Sequence, residues 1–263
     1  MSKTGVFQAH KKDNTVYYRS SITYKGKHIS LGSFPTEEDA SAAYEEAGLL
    51  LRSQLSLEQT FSHSYHLPFA KIVSLINYRD HGIYLRNPIY LQEKFFYYYL
   101  DEKTPLKFDI DDLFYYSTHK IQRRGGYLFV SDYGMQVNIY SRYGIKNYSV
   151  CGKDYRHVNM NEYDFTYANL EVICAYYGVT SILKNGKRIY KSQIHLNGNY
   201  LIGYYDTAED AAIAYNKAVD IVTKKGCSRS FPNNYILTYS ASEYARRYLE
   251  IKIRNRILTW QPS

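Results

Sequence analysis

A unit of about seventy residues is written twice in this chain, some 170 positions apart, so any fold it adopts must hold two copies of one small structure. The first copy runs from Gly5-Val6 through Tyr18-Arg19-Ser20-Ser21-Ile22-Thr23 and Leu31-Gly32-Ser33-Phe34 into Thr36 to Ala47. The second runs from Gly178-Val179 through Tyr190-Lys191-Ser192-Gln193-Ile194-His195 and Ile202-Gly203-Tyr204-Tyr205 into Thr207 to Ala218. Gly32 and Tyr44 are twelve positions apart, as are Gly203 and Tyr215. Further on, Thr60-Phe61 with Tyr65 is echoed by Ser230-Phe231 with Tyr235, and each is followed by a helical pattern, Phe69 to Tyr78 and Ser242 to Arg256.

Within each copy the first half has the period of a half-buried strand. Tyr18, Ser20 and Ile22 fall on one face with Arg19, Ser21 and Thr23 on the other, and Tyr190, Ser192 and Ile194 oppose Lys191, Gln193 and His195 in the same way. Lys25-Gly26-Lys27 and Asn197-Gly198-Asn199 punctuate the strands as hairpin turns. The second half reads as a helix: Thr36 and Thr207 are N-caps with acids in the following turn. Ala40, Ala43, Tyr44 and Ala47, matched by Ala211, Ala214, Tyr215 and Ala218, form a stripe of mostly small residues on which a helix can lie close to a sheet. In the C-terminal helical pattern, Tyr244, Tyr248 and Ile251 form an apolar stripe beside Arg246, Arg247, Lys252, Arg254 and Arg256, and the stripe is expected to face the core.

Charge follows the duplication. Residues 1–31 hold six cations against Asp13 alone, and residues 178–202 hold Lys184, Lys187, Arg188 and Lys191 with no acid, so these two stretches carry +5 and +4 while the whole chain is +8. The remainder is close to neutral. A positive field confined to two copies of one substructure points to a polyanionic partner, the alternative being that the lysines merely solvate hairpins.

Length and composition set the frame. At 263 residues with 45% hydrophobic content the chain can fold as two or three small domains, expected at residues 1–79, 80–176 and 177–263. Its 32 tyrosines supply apolar ring area whose hydroxyls still reach water or a partner. Cys151, Cys174 and Cys227 are odd in number and widely spaced, which speaks against a disulfide framework or a cysteine metal site. No run is long and apolar enough for a membrane span and the N-terminus has no apolar leader, so the chain is expected to be cytoplasmic, or nuclear in a host with a nucleus, with no membrane partner. In the central region a helix is expected from Asp109 to Gln122, a break at Gly125-Gly126 and a strand from Tyr127 to Val130. The five consecutive rings Phe95-Phe96-Tyr97-Tyr98-Tyr99 cannot share one helical face, and most are expected to pack rather than stack on bases.

Both copies resemble the DNA-binding domain of plant ethylene-response factors, the Apetala-two type, which also occurs in bacterial and phage endonucleases. The residues that carry this are Gly5-Val6, Tyr18 to Ile22, Leu31-Gly32-Ser33-Phe34, Thr36 and Ala40 to Ala47, with their second-copy partners. The resemblance implies a three-stranded antiparallel sheet laid in the major groove with a helix packed behind it. The family's base-reading arginines correspond here to Thr4, Phe7 and Ala9, and to Tyr177, Thr180 and Ile182, so its target sequence does not carry over. The Arg that ends the family's middle strand matches Thr23 and His195, and its tryptophan before Leu-Gly matches Ser30 and Leu201. Left to contact a duplex are Arg19, Ser21, Thr23, Lys191, Gln193 and His195 on the sheets, with Lys11, Lys12, Lys25, Lys27, Lys184, Lys187 and Arg188 for phosphates.

A second resemblance lies in the centre. Asp154-Tyr155-Arg156-His157-Val158-Asn159-Met160-Asn161, then Asp164 and Tyr167-Ala168-Asn169-Leu170-Glu171, is similar to the ββα core of HNH homing endonucleases. That likeness implies a histidine base, a loop-holding asparagine and two metal ligands, and His157, Asn161 and Asn169 match. Arg156 stands where a metal ligand is expected, and the stretch Glu171 to Gly178 supplies neither His nor Asn at the helical position. A guanidinium in place of a carboxylate opposes a cation, so the core is expected to be structural, with no metal and no cofactor. The expected fold is therefore α+β, two small three-stranded antiparallel sheet-plus-helix modules flanking a degenerate ββα region. The expected function is non-catalytic binding of duplex DNA by a monomer or homodimer from a bacterial mobile element or phage. Two alternatives stand: a metal-dependent HNH nicking or homing endonuclease, and a mobile-element protein that binds and inhibits a host defence protein.

Overall fold

The structure, a computed structural model, describes residues 4–147 and 149–262. It is mixed α and β: the described residues form four three-stranded antiparallel sheets, one two-stranded ribbon and seven α-helices. The chain divides into two compact units, Met1–Asn138 with Asn161–Thr166, and Ile139–Met160 with Tyr167–Ser263. The central region is thus shared between them.

The first unit begins with β1 (Val6–His10), β2 (Val16–Tyr24) and β3 (Lys27–Phe34), paired in that order, and α1 (Glu37–Arg52) lies behind the sheet. There follow α2 (Leu57–Thr60) and α3 (Phe69–His81), then a second sheet of β4 (Ile89–Leu91), β5 (Phe95–Tyr99) and β6 (Pro105–Asp109). After α4 (Leu113–Thr118) comes a third, of β7 (Gln122–Arg124), β8 (Tyr127–Asp132) and β9 (Met135–Asn138). The second unit holds the ribbon β10 (Tyr155–His157) with β11 (Leu170–Val172), then β12 (Val179–Lys184), β13 (Lys187–His195) and β14 (Asn199–Tyr205) in one sheet. It is completed by α5 (Ala208–Lys224), α6 (Ala241–Glu250) and α7 (Asn255–Leu258).

The two copies repeat down to irregularities of the backbone. In each sheet the register slips at one residue of the last strand: Ser20 faces Gly32 and Ser21 faces Ser30, while Ser192 faces Gly203 and Gln193 faces Leu201. The extra residues of these bulges, Leu31 and Ile202, are buried in the core. Thr36 accepts the Asp39 N–H at 3.1 Å and Thr207 the Asp210 N–H at 3.1 Å, so both N-cap expectations hold. Ala40, Ala43 and Ala47, like Ala211, Ala214 and Ala218, are fully buried. Small side chains at these positions are what bring the helix against the sheet.

Two glycines show how close that approach is. Gly5 and Gly178 have φ of +73° and +70°, and a Cβ on either would fall 2.2 Å from the ring of Tyr44 or Tyr215. Their carbonyls accept the N–H of Ser21 at 3.0 Å and of Gln193 at 2.8 Å, which ties the start of each sheet to its middle strand. A side chain there meets both a left-handed backbone and an occupied space.

Several sequence expectations need correction. The helix expected from Asp109 to Gln122 is a 3-10 turn at Ile110–Asp112 followed by α4, which stops at Thr118. The Ser117 and Thr118 hydroxyls bond back to the Phe114 carbonyl, and the buried Tyr98 hydroxyl takes the Ile121 N–H at 3.0 Å, drawing the chain out of the helix toward β7. Burial pushes the Tyr98 hydroxyl up to about 12. The helical pattern from Ser242 to Arg256 breaks at Ile251, because Ile251, Ile253 and Ile257 enter the core around Ile194 and Ile202 from an irregular segment and α7. Its stripe is half-buried: Tyr248 donates its hydroxyl to Asp220 at 2.7 Å, and no residue of α6 is fully buried. The expected ββα unit has its two strands, but no helix follows β11, since residues 173–178 lead straight into β12.

Other expectations are met. Gly125-Gly126 makes the turn between β7 and β8, and the aromatic run is the central strand β5, with Phe96, Tyr98 and Tyr99 buried. No helix of the described residues is long and apolar enough to cross a membrane.

The glycine contacts yield a stability test. Gly5→Ala and Gly178→Ala should each cost about 3 kcal/mol in urea unfolding, whereas Gly26→Ala, at φ +76° with open space around it, should cost about 1 kcal/mol. Equal losses at all three positions would show that the tyrosine contacts contribute nothing.

Candidate nucleic-acid interface

Strand register sorts the candidate residues by face. In the first copy Phe7, Arg19 and Ser33 lie across one row, Ser21 pairs with Ser30 and Thr23 with His28, all on the side of the sheet away from α1. Arg19, Thr23, His28, Ser30 and Ser33 are exposed, and Phe7 is 58% exposed, so this face is open. Arg19 donates through Nε and Nη2 to the Tyr17 hydroxyl at 3.2 and 2.7 Å, with its Cζ 5.5 Å from the centre of that ring, so the guanidinium is braced by its neighbour on the same face. Lys11 and Lys12 are exposed in the β1–β2 turn at the rim.

Lys25 and Lys27 do not join that face. Lys27 pairs with Tyr24, whose ring packs into the core, and its Nζ lies 5.4 Å from the centre of the Tyr84 ring. Lys25 reaches the Arg79 carbonyl at 3.3 Å. Alternation alone places Lys27 on the helix side, a signal present in the sequence once the turn is fixed at Lys25-Gly26.

The second copy presents a different surface. Thr180, Lys191 and Tyr204 form one outward row, Ile182 pairs with Ile189, Gln193 with Leu201 and His195 with Asn199. Lys184 and Lys187 are exposed at the β12–β13 hairpin, Lys187 in a surface pair with Asp206 at 2.8 Å, which is worth under about 1 kcal/mol. Arg188 pairs with Leu183 and falls on the opposite face. Gln193 and His195 line a cleft of about 340 Å³ whose other wall includes Lys146, Asn147, Ser149 and Asp154. Their end of the sheet is therefore walled, whereas the hairpin end is open. His195 is held by Asn199 at 2.8 Å.

Lys146, half-buried, brings an ammonium group to this cleft. Its Nζ bonds to the Tyr176 carbonyl and sits 5.2 Å from the centre of the Tyr177 ring, and burial lowers its pKa from the ordinary lysine value. Sequence reading missed it because nothing local marks a lysine that tertiary packing buries. Two further cations missed as candidates, Lys71 and Arg86, flank the free edge of β3, and Arg254, noted only for its charge, lies 6.0 Å from the centre of the Tyr204 ring.

The residues of the HNH-like motif are divided. His157 is buried, with Nδ1 3.3 Å from the Asn169 amide and Nε2 3.4 Å from the Tyr140 hydroxyl. Asn169 also takes the Asn159 N–H at 2.8 Å, and its carbonyl takes that of Val158. Arg156 points outward and pairs with Glu171 at 2.6 Å. Asn161 belongs to the first unit, where it accepts the Tyr163 N–H at 3.0 Å. Asp164, also there, is buried, which favours its neutral form, but the hydroxyl and N–H of Thr166 and the Lys107 ammonium outweigh burial and hold its carboxyl below the usual value. Among the described residues, no group of three or more His, Cys, Asp or Glu side chains could hold a metal ion.

Comparison with protein-family models, with curated proteins and with solved structures finds no match to this chain.

The contrast between neighbouring residues of β10 is measurable. His157→Ala should destabilise the protein by about 2 kcal/mol, because it opens a buried site and strips Asn169 of a partner, whereas Arg156→Ala should change stability by under about 1 kcal/mol. Thermal or urea unfolding of the two variants separates a structural histidine from an idle one.

Proposed function

We propose that this protein binds duplex DNA without cutting it, using its two sheet-and-helix copies as Apetala-two-like modules on either side of a degenerate HNH-like region. The observation that carries the reading is the open outward face of the first sheet, where Arg19 is braced by Tyr17, Lys11 and Lys12 stand at the rim, and α1 packs behind. A two-stranded or three-stranded ribbon fits the major groove, and cations at its rim fall near phosphates. Lys184 and Lys187 at the hairpin end, with the half-buried Lys191 in mid-strand, offer the second copy the same chemistry. Lys25, Lys27 and Arg188, turned to the other side, are not assigned to the duplex.

A gel shift with random duplex DNA across a salt series tests this. If about six cations neutralise phosphates, log affinity should fall against log salt with a slope of roughly −5. Arg19→Glu combined with Lys191→Glu should abolish the shift while the circular dichroism spectrum stays unchanged. A flat salt response, or full affinity in the double variant, would overturn the reading.

The engagement of both His157 ring nitrogens by Asn169 and Tyr140 supports a non-catalytic role for β10 and β11. Supercoiled plasmid incubated with magnesium or manganese should remain intact. Nicking that is lost in His157→Ala would establish the nuclease alternative instead.

One observation favours a protein partner for the second sheet. Ile182, Ile189 and Leu201 are half-exposed on its outward face beside Tyr204, a mixture closer to a protein interface than to a phosphate-lined groove.

A further inference from the structure

The duplicated unit allows one copy to be compared with the other at the free edge of its last strand. In the second copy that edge is covered. The Arg254 N–H donates to the carbonyl of the bulge residue Ile202 at 3.0 Å, the Tyr205 hydroxyl donates to the Lys252 carbonyl at 2.8 Å, and Ile251 and Ile253 pack into the core beside it. The chain's own residues 251–254, extended at Ile251 and Arg254, therefore run along β14 and shield it.

The matching edge in the first copy is bare. Leu31 is the counterpart of Ile202, and among the described residues no backbone group outside the sheet bonds to β3. In place of a covering segment there is a cleft of about 680 Å³, running along residues 27–32 with Lys71, Tyr84 and Arg86 on its far side. Lys27 and Lys71 place their ammonium groups 5.4 and 5.5 Å from the centre of the Tyr84 ring, and the Tyr84 hydroxyl accepts a bond from Lys71 at 2.8 Å. Three cations and His28 line the cleft, and among the described residues no carboxylate does.

We propose that this cleft receives an extended acidic peptide segment of a partner protein, laid along β3 with main-chain bonds of the kind that joins Arg254 to Ile202 at the edge of β14. An unpaired edge offers backbone donors and acceptors to an extended chain, and alternate side chains of that chain then meet the walls. The walls here are cationic, so glutamate or aspartate belongs where the second copy's covering segment has Lys252 and Arg254. The same argument excludes residues 251–254 of another copy, whose cations would meet Lys27, Lys71 and Arg86. This inference does not depend on duplex binding, because Lys71, Tyr84 and Arg86 lie at the edge of the sheet rather than on its outward face.

The test is fluorescence anisotropy of the full chain with a labelled heptapeptide of alternating isoleucine and glutamate, alongside amide shifts by NMR. Saturable binding is expected, with shifts centred on residues 27–32 and affinity at least about tenfold weaker in Arg86→Glu and in Lys71→Glu. A peptide with proline at its centre, lacking a backbone donor, and one with lysine for glutamate should both bind at least about tenfold more weakly than the parent. Arg86 is exposed and carries the test alone if Lys71→Glu does not fold. No binding at about 1 mM peptide, or equal affinity for the proline peptide or in Arg86→Glu, overturns the proposal. Displacement of the peptide by a duplex of about 20 base pairs, whose own binding is weakened by Arg86→Glu but not by Arg19→Glu, would make the cleft a phosphate site and also overturn it.

Discussion

Each copy of the duplicated unit is organised by the contact of a tyrosine ring with a bare glycine backbone. Tyr44 lies against Gly5 and Tyr215 against Gly178, closer than any Cβ would permit, and these contacts lock a helix to the beginning of a sheet. Once the helix is seated, the alternation of the strands leaves no choice about which side chains face outward. Arg19 and Lys191 fall on the outward face because Ser20 and Ser192 must lie under a helix lined with alanines. The outward placement of these side chains and core packing are two sides of one constraint.

The copies have diverged around that shared frame. The first has an open outward face rich in hydroxyl groups and an uncovered strand edge with a basic wall. The second has a mixed apolar face, partly walled near Gln193 and His195, and an edge covered by the C-terminal segment. Such divergence of a repeated unit gives one chain two surfaces of different chemistry on the same scaffold.

In the central region a buried histidine and an exposed arginine alternate along one strand. Burying His157 between Asn169 and Tyr140 satisfies its ring and holds β10 beside β11, and the outward Arg156 finds Glu171 across the ribbon. These pairings follow from ordinary strand register. They account for the spacing of the histidine and the asparagine without any chemistry on a phosphodiester.

Local pattern was sufficient for whatever depends on neighbours along the chain: the middle strand and first helix of each copy, the caps at Thr36 and Thr207, the turns at Lys25-Gly26 and Asn197-Gly198, and the packing role of Phe95 to Tyr99. It misjudged the ends of α4 and α6, because Tyr98 captures the Ile121 N–H and because Ile251 and Ile253 are drawn to a core around Ile194 and Ile202, far earlier in the chain. Only tertiary structure decided which lysines share a surface. The sequence by itself determined that there are two alternating, basic sheets with a helix each, since period and capping are written locally. The half-burial of Lys146 against Tyr176 and Tyr177 and the covering of β14 but not β3 were settled by contacts between distant segments, whose energies no window of sequence contains.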